Sequence, residues 1–210
     1  MNNRGILTVI SGFSGAGKGT IVKRLFAKYG NYKVSISATT RQPRVGEEDG
    51  REYFFKSVEA FEKMIADGAF IEHTKYVNNY YGTLRAYVEC QKEKGNDVIL
   101  EIEIEGALKI KEQYPDTVLM FVMTPNADSL KERLLGRGTE HQEVIDSRLS
   151  RAVEESKGIE KYDYLIINDD LEDTVERLHH IIQSEHYKVD RNIDFIETMQ
   201  NDMKQYAKGE

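Results

Sequence analysis

A glycine-rich run near the amino terminus has the residue types of a phosphate-binding loop. The run is Gly12-Phe13-Ser14-Gly15-Ala16-Gly17-Lys18-Gly19-Thr20. Its glycines let several backbone N–H groups turn towards one concave site, and the following helix adds partial positive charge at its amino terminus. Lys18 is placed to reach the β- and γ-phosphates of a nucleotide. The loop therefore predicts a phosphate site, and a merely flexible turn is the alternative.

The residue after the lysine departs from the general pattern of such loops. That pattern places Ser or Thr directly after the lysine, where the hydroxyl holds Mg²⁺. Here Gly19 stands at that position and Thr20 follows it. The sequence leaves open whether Thr20 contacts the metal directly or through water.

A second stretch carries two arginines that could bind an anion. It reads Ser37-Ala38-Thr39-Thr40-Arg41-Gln42-Pro43-Arg44. Pro43 restrains the backbone between Arg41 and Arg44, so both guanidinium groups could converge on one phosphate, which they bind in bidentate geometry. Tyr53 and Tyr81 are candidates to donate hydroxyls to the same group. The alternative is that both arginines are solvated surface residues. The phosphate loop upstream makes this alternative weaker than the anion-binding interpretation.

Acidic residues alternate with isoleucines after an apolar run at Val98–Leu100. The continuation reads Glu101-Ile102-Glu103-Ile104-Glu105-Gly106. If the strand persists, all three glutamates share one face, where like charges repel unless cations or hydrogen-bond donors oppose them. Mg²⁺ or Lys18 would serve, and a solvated strand end is the alternative. We favour Glu101 and Glu103 as site residues and leave out Glu105.

The elements that must position these residues alternate between strands and helices. Ile6–Ile10 is a short apolar run with β-branched residues, and residues 20–29 follow at helical spacing. Similar runs appear at Val98–Leu100, Val118–Met123 and Tyr164–Ile167, with helix-like stretches between them. This order predicts an α/β fold with a buried parallel sheet.

The net charge and the apolar runs of the chain exclude some classes of binding partner. The chain has 210 residues with a formal net charge of -7, which argues against nucleic acid or an anionic membrane as the main partner. No apolar run reaches the length of about 18 residues that a membrane helix needs, and no signal-peptide pattern is present. We therefore expect a cytoplasmic protein. Because Cys90 is the single cysteine, the chain cannot form an intrachain disulfide. We interpret Cys90 as a structural thiol that packs like a small hydrophobic side chain.

Four further motifs carry a resemblance to a known family. They are Thr39-Thr40-Arg41-Gln42-Pro43-Arg44, Gly50-Arg51-Glu52-Tyr53-Phe54-Phe55, Phe70-Ile71-Glu72 and Asn79-Tyr80-Tyr81-Gly82-Thr83, in this order. With the glycine loop, they resemble the guanylate kinases, which are nucleoside monophosphate kinases of the P-loop type. The similarity runs from about Gly5 to about His186 and leaves only the carboxyl-terminal tail uncovered.

The resemblance implies a reaction and a set of binding residues. It implies transfer of the γ-phosphate of MgATP to GMP, with Mg²⁺ as the cofactor near Thr20 and Glu101. Arg41, Arg44, Tyr53 and Tyr81 would bind the GMP phosphate. The residues that would bind the base are Ser37, Glu72 and Thr83, with Glu101 and Glu103 nearby. Thr83 replaces the serine of many relatives, and Glu103 replaces the usual aspartate.

The hydrogen-bonding chemistry of guanine supports that assignment of the base site. Guanine offers N–H donors at N1 and N2 and an acceptor at O6, so Glu72 can take the donors while Ser37 and Thr83 donate to O6. Adenine reverses this pattern. A site built on substrate hydrogen bonds can reject a mismatched analogue by as much as about 10⁴–10⁵.

The resemblance also implies a lid that closes over ATP. Arg133, Arg137 and Arg148 match the ATP-side and lid arginines of the family, and such a charge can contribute about 10³–10⁵ in rate. Arg151 follows three residues after Arg148, and the sequence leaves open whether it shares that role or is a solvated ion-pair partner. Asn168, in Asn168-Asp169-Asp170, resembles the loop on the adenine side. The catalytic residues would be Lys18, Arg41, Arg137 and Arg148.

The expected organisation is one P-loop kinase domain, a central parallel sheet flanked by helices, with an inserted GMP-binding subdomain and a lid. The core comprises residues of about 1–36, 89–130 and 152–190, the subdomain about 37–88, and the lid about 131–151. An extra helix at about 188–208 carries Ile196, Met199, Met203 and Tyr206 on one stripe. We expect it to dock on the core, with self-association as the alternative.

Two other functions remain open at this stage. One is a non-catalytic guanylate-kinase-like module that binds a protein, although the intact loop with Lys18 argues against it. The other is a kinase with a different acceptor, against which Ser37, Glu72 and Thr83 argue. Use of dGMP and the choice between monomer and homo-oligomer are left undecided.

Overall fold

The chain forms two β-sheets, and helices cover the larger one on both faces. A computed structural model describes residues 4–76, 78–136 and 142–206. The strands are β1 (Leu7–Gly12), β2 (Tyr32–Val34), β3 (Ser37–Thr39), β4 (Phe54–Phe55), β5 (Phe70–Tyr76), β6 (Asn79–Leu84), β7 (Asp97–Glu101), β8 (Val118–Met123) and β9 (Tyr164–Ile167).

The α-helices are α1 (Lys18–Lys28), α2 (Val58–Ala66), α3 (Arg85–Glu93), α4 (Ile104–Gln113), α5 (Ala127–Leu135), α6 (Gln142–Glu155), α7 (Leu171–Glu185) and α8 (Ile193–Met203). Short 3₁₀ turns lie at Ser156–Lys161 and Val189–Arg191. No helix in the described ranges is long and apolar enough to cross a membrane.

The larger sheet is parallel throughout and has the strand order β2-β7-β1-β8-β9. Side chains of the central segment alternate between its two faces: Ile6 and Ile10 pack in one apolar cluster, and Leu7 and Val9 pack in another. Burial on both faces explains why this segment is continuously apolar rather than alternating with polar residues. The predicted α/β fold with a central parallel sheet flanked by helices is confirmed.

Each face of the large sheet is covered by its own helices. On one face, α1 contributes Ile21 and Leu25, which join Leu178 of α7 in the core. On the other face, α4 contributes Ala107 and Ile110. The loops at the carboxyl ends of β1 and β7 are therefore held between two packed layers.

Cys90, on the neighbouring helix α3, is exposed. The interpretation of this thiol as a structural one that packs like a small hydrophobe is therefore wrong.

The smaller sheet has the strand order β4-β3-β6-β5 and its own small core. The ring of Phe61 stacks between Phe70 and Tyr80, at centroid distances of 4.4 and 5.2 Å. A β-bulge separates Phe70 from Glu72. Between them, Ile71 is only 2% exposed and packs in the apolar cluster of the large sheet. This contact joins the two sheets.

The strand predicted to continue through the alternating glutamates ends earlier. Strand β7 stops at Glu101, and α4 begins at Ile104 with Glu103 as its N-cap residue. The prediction that three glutamates share one strand face is therefore wrong. Helical spacing decides the outcome, because Ala107 and Ile110 are buried on α4.

The carboxyl-terminal helix does not dock on the core as predicted. Ile193, Phe195, Met199 and Met203 are between 43% and 60% exposed, and α8 has no buried residue. At the start of α8, Ile193 and Asp194 line a pocket whose other residues are mostly charged, among them Arg4 and Asp116. That surface offers the apolar stripe little to bury. Self-association stays a prediction.

Candidate functional site

The glycine loop turns sharply between β1 and α1 through glycines with positive φ. Gly17 is the N-cap of α1 with φ of 94°, and no side chain caps the helix there. A Cβ at this position would lie 2.5 Å from Asn168 Nδ2, so only glycine fits. The turn leaves the amino terminus of α1 without a capping side chain, which suits it to bind an anion.

Buried contacts hold the loop from behind. Phe13 is 9% exposed and meets Phe121 edge to face at 5.1 Å, so its side chain belongs to the core and only its backbone can face a ligand. The carbonyl of Ala16 accepts hydrogen bonds from Asn168 Nδ2 at 2.7 Å and from Arg133 Nη1 at 3.3 Å. The structure thus places Asn168 and Arg133 against the loop backbone, which they support.

The Lys18 side chain folds back onto the backbone of the glycine loop. Its Nζ donates to the carbonyls of Gly12 at 2.5 Å and Phe13 at 3.2 Å. The Glu101 carboxylate is close to the start of α1, 3.8 Å from where a Cβ of Gly19 would lie. Loss of solvent raises the pKa of Glu101, while the Lys18 charge acts in the opposite direction.

The remaining loop residues frame the same opening. Gly15 has φ of 94°, Ser14 is half-buried, and Thr20 is exposed at the first turn of α1. The loop, Lys18 and Glu101 therefore converge at the carboxyl ends of β1 and β7.

The predicted phosphate-binding arginine lies in a dense set of contacts. Both carboxylate oxygens of Glu47 accept from Arg41 Nη2 at 2.9 Å, and the Gln42 carbonyl accepts from Arg41 Nη1 at 2.8 Å. The ring of Tyr53 lies 5.3 Å from the guanidinium. The hydrogen bond to Glu47 is the main cause of the raised pKa of Arg41, and Tyr81 contributes through its own hydrogen bond.

The other predicted phosphate ligands lie around Arg41. The rings of Tyr53 and Tyr81 are 6.2 Å apart, and both are half-buried. Arg44 is exposed, and its backbone N–H donates to Glu47 Oε2 at 2.8 Å. The structure therefore brings Arg41, Tyr53 and Tyr81 together and attaches Arg44 to the group through its backbone.

The predicted base-binding residues form one row across three strands. Ser37 of β3 is paired with Thr83 of β6, and Thr83 is paired with Glu72 of β5. Directly paired residues share a face of a sheet. Thr83 is 1% exposed, and its Oγ1 donates to Glu72 Oε1 at 3.0 Å. Tyr81 lies two residues earlier on β6, so the strand pleat places it on the same face.

Burial gives Glu72 unusual electrostatics. It raises the pKa of the Glu72 carboxyl, while the hydrogen bond from Thr83 and the charge of Lys109 lower it. Helix α4 closes the row from the other side, since a Cβ at Gly106 would lie 3.7 Å from Glu72 Oε2. A partly desolvated carboxylate in such a row is suited to accept two N–H donors from a flat base.

Glu103, the N-cap residue of α4, forms an ion pair on the surface and does not join this row. Its side chain is 74% exposed, and it forms an ion pair with Arg151 Nη2 of α6 at 2.5 Å. Arg151 also pairs with Glu155 at 3.1 Å on its own helix. The structure therefore links the start of α4 to α6 through Glu103 rather than directing this carboxylate at the row.

The predicted lid arginines are described in part. Arg133 lies on α5, where its Nη2 donates to the Asn168 carbonyl at 2.7 Å. Arg148 is half-buried on α6. Arg137 lies outside the described residues.

Sequence reasoning missed Glu47, which joins the two phosphate-binding arginines. Its position three residues after Arg44 and six after Arg41 is the only signal available, and Glu48 and Glu52 stand close by in the same loop. Across the described ranges, no group of three or more His, Cys, Asp or Glu side chains could hold a metal ion.

Comparison with known proteins gives a consistent result. A family model described as guanylate kinase matches residues 4–185. The guanylate kinase of Caldanaerobacter subterraneus subsp. tengcongensis is 50% identical over 194 residues, covering 92% of this chain and 94% of that protein. The guanylate kinase of Lactococcus lactis subsp. lactis is 47% identical over 204 residues, covering 97% of this chain and 100% of that protein.

A solved structure agrees with the sequence comparison. The crystal structure of guanylate kinase from Anaplasma phagocytophilum superposes with a TM-score of 0.68 and 32% sequence identity, covering 90% of each chain. The region matched by the family model has the bounds that the motifs predicted, about Gly5 to His186. The chain belongs to the guanylate kinase family.

Proposed function

We propose that the protein transfers the γ-phosphate of ATP to GMP and gives ADP and GDP. The observation that carries this proposal is the row of Ser37, Thr83 and Glu72 on the small sheet, in a chain whose phosphate loop and Lys18 are intact. A phosphate loop alone leaves the acceptor open, whereas this row matches the donor and acceptor pattern of guanine. The relatives, named as guanylate kinases along most of their length, support the same activity.

ATP binds at the glycine loop in this proposal. The backbone of Gly12 to Thr20 encloses the phosphates, with Phe13 and Ala16 fixing the loop from within the core. Lys18 turns from the carbonyls of Gly12 and Phe13 to the β- and γ-phosphates. Arg133 and Asn168 act on ATP through the loop backbone that they support.

GMP binds on the small sheet and the loop beside it. Arg41, Arg44, Tyr53 and Tyr81 hold the phosphate, and the guanine base lies along the row. Glu72 accepts from N1 and N2, while Ser37 donates to O6. The Thr83 hydroxyl, whose single proton goes to Glu72 Oε1 in the structure, would turn that proton to O6 when the base binds. Glu101, the last residue of β7, and Glu103, the N-cap residue of α4, are assigned to the acceptor site in this proposal.

Closure of the lid completes the positive charge around the moving phosphoryl group. We assign this role to Arg137 and Arg148, together with Lys18 and Arg41. The inserted subdomain of residues 37–88 and the lid of residues 131–151 would close over the two nucleotides, which excludes water from the reaction.

Magnesium fits the residues on the donor side. Mg²⁺ is usually held by one or two carboxylates together with substrate phosphates and water. Glu101 beside Gly19 would provide the carboxylate, and Thr20, the next residue of α1, would provide an exposed hydroxyl. When bound, the metal would supply charge neutralisation on the ATP phosphates.

The residues of the chain do no covalent chemistry. A phosphate oxygen of GMP attacks the γ-phosphorus in line with the bond to ADP, and the ADP oxygen leaves. That attacking oxygen is already ionised at neutral pH, so no strong general base is needed. Catalysis consists of positioning and charge stabilisation by Lys18 and the arginines. We place the reaction in the cytoplasm, where both nucleotides are found.

The proposal is tested by a coupled assay of ADP release with GMP, AMP, CMP and UMP offered separately. We expect strong turnover with GMP and little with the other three. Turnover with AMP but not GMP would overturn the assignment of the base site. Absence of turnover with all four, in a folded protein, would favour a non-catalytic binding module.

A further inference from the structure

Glu47 closes the loop that carries the two phosphate-binding arginines. Both oxygens of its carboxylate accept from Arg41 Nη2 at 2.9 Å, and one of them also accepts from the backbone N–H of Arg44 at 2.8 Å. A single side chain thus fixes the guanidinium of Arg41 and the backbone position of Arg44.

This ion pair is shielded from solvent more than the other ion pairs of the same loop. The side chains of Arg41 and Glu47 are 15% and 17% exposed, whereas those of Arg51 and Glu48 are 53% and 70% exposed. The rings of Tyr53 and Phe55 lie 5.3 and 5.9 Å from the Arg41 guanidinium. Shielded charge pairs are screened less by salt than surface pairs are.

Both partners of the pair stay ionised over the pH range in which a kinase is assayed. The hydrogen bond from Arg41 and that from the Arg44 backbone lower the pKa of Glu47, and the hydrogen bond to Glu47 raises the pKa of Arg41. The pair is therefore a constant feature of the site rather than a titrating one.

Arg41 keeps donors for a ligand while it is held by Glu47. An arginine has five N–H donors arranged in a planar fork. Glu47 engages only Nη2, the Gln42 carbonyl engages Nη1, and Tyr81 takes one further hydrogen bond, which leaves part of the fork for a ligand. A phosphate can thus bind Arg41 without displacing Glu47, and the guanidinium is already oriented when it arrives.

We propose that Glu47 is a positioning residue for the acceptor phosphate, acting through Arg41 and Arg44. This inference rests on the proposed function, since it takes GMP as the acceptor. Pre-orientation of a binding group improves affinity by reducing the ordering that binding requires. Glu47 orders Arg41 and the Arg44 backbone before the phosphate binds. Its negative charge near the phosphate opposes binding in part.

The test is the variant Glu47→Gln, which keeps the size of the side chain and removes its charge. Loss of a charge-assisted hydrogen bond predicts that the KM for GMP rises roughly ten-fold. The KM for ATP should stay within about two-fold, since the donor loop has no part in this contact. Binding of guanosine, measured by calorimetry, should not change, because guanosine lacks the phosphate.

Glu52→Gln is a matched control in the same loop. Glu52 also accepts from a backbone N–H, that of Glu48 at 2.8 Å, and from a guanidinium, that of Arg51 at 2.6 Å. Arg51 is exposed and has no assigned role at the phosphate. We expect Glu52→Gln to leave the KM for GMP unchanged, so a general disturbance of the loop would be detected by this variant.

The outcomes separate this inference from the proposed function. An unchanged KM for GMP in Glu47→Gln would overturn the inference, and a lower KM would show that the carboxylate competes with the phosphate. Arg41→Gln is measured in parallel, and if it leaves the KM for GMP unchanged, the phosphate assignment itself fails. Should Glu47→Gln not fold, Glu47→Asp serves instead, and a KM for GMP equal to that of the parent would overturn the inference.

Discussion

The donor loop and the acceptor site hold their cations in different ways. Lys18 rests on the uncharged carbonyls of Gly12 and Phe13, whereas Arg41 rests on the carboxylate of Glu47. These two hydrogen-bond partners of Lys18 carry no charge, and the charges of Glu101 and Glu155 also act on the lysine. Arg41 instead keeps a charged partner that fixes its direction.

The two regions also differ in what shapes them. The donor loop is a single run of backbone, held by the buried residues Phe13, Ala16 and Asn168. The acceptor site is made of side chains from three strands and a loop, and Arg44 is exposed. We infer that changes in the donor region mainly affect the rate of chemistry, while changes in the acceptor region mainly affect affinity and substrate choice.

The largest effect is expected for Lys18→Ala. Removing a preorganised charge at the transferred group predicts a loss in kcat of roughly 10³-fold. Binding of GMP, measured by calorimetry, should survive. Lys28→Ala at the other end of α1 is the control, because Lys28 pairs with Glu176 on the surface. A parallel loss of GMP binding in Lys18→Ala would contradict the separation of the two regions.

Glu72→Gln is expected to have the next largest effect, and on the choice of base. The amide would face the guanine N–H groups with donors of its own, so kcat/KM for GMP should fall roughly 10²-fold. The KM for ATP should change little. Glu62→Gln is the control, since Glu62 accepts from Tyr80 at 3.2 Å on the outer side of the small sheet. An unchanged preference for GMP over AMP would disprove the account of specificity.

Acidic pH should weaken GMP binding through the same carboxyl. Burial raises the pKa of Glu72 above its ordinary value of 4.5, so it takes up a proton at a higher pH than a solvated glutamate does. Once protonated, it no longer accepts both guanine donors. The KM for GMP should then rise by up to about ten-fold for each pH unit below that pKa.

The pH profile of Glu72→Gln separates this titration from that of the GMP phosphate. The phosphate titrates in both proteins, whereas the carboxyl titrates only in the parent. A profile that is identical in the two proteins would show that Glu72 does not control binding.

The smallest effect is expected for Arg151→Gln, which breaks the contact between α6 and the start of α4. The side chains of Arg151 and Glu103 are 54% and 74% exposed, and exposed ion pairs contribute at most about 1 kcal/mol. The KM values for both nucleotides should therefore change by less than about two-fold. Lys157→Gln, which breaks a similarly exposed pair with Glu154, is the control. A ten-fold change would show that this pair couples the donor and acceptor regions.

Sequence patterns predicted the parts of the fold that depend on burial alone. The strands Val118–Met123 and Tyr164–Ile167 have the bounds of their apolar runs. The first is buried on both faces, whereas the second lies at the edge of the sheet and buries only Ile166. The alternation from Glu101 to Glu105 was misleading, since the first turn of a helix can show the same short pattern as a strand. On α8 the apolar stripe is present, but periodicity cannot reveal whether a matching surface exists.

The candidate site could be predicted only as far as its residues carry a motif. The glycine loop is contiguous, so its residues could be named from the sequence. The pairing of Ser37 with Thr83 and Glu72 depends on strand register, which the resemblance implied and which no local pattern gives. Glu47 stayed hidden because its role arises from two contacts in three dimensions, and its type and position resemble those of Glu48.

The bulge before Glu72 makes substrate choice depend on the length of the chain as well as on side chains. Ile71 is anchored in the core of the large sheet while Glu72 joins the row with Thr83. A deletion or insertion of one residue in the β5–β6 hairpin would exchange the faces of the strand and place a neighbour of Glu72 opposite Thr83. Such a protein would keep every residue of the base site in its sequence and still lose the ability to distinguish one purine from another.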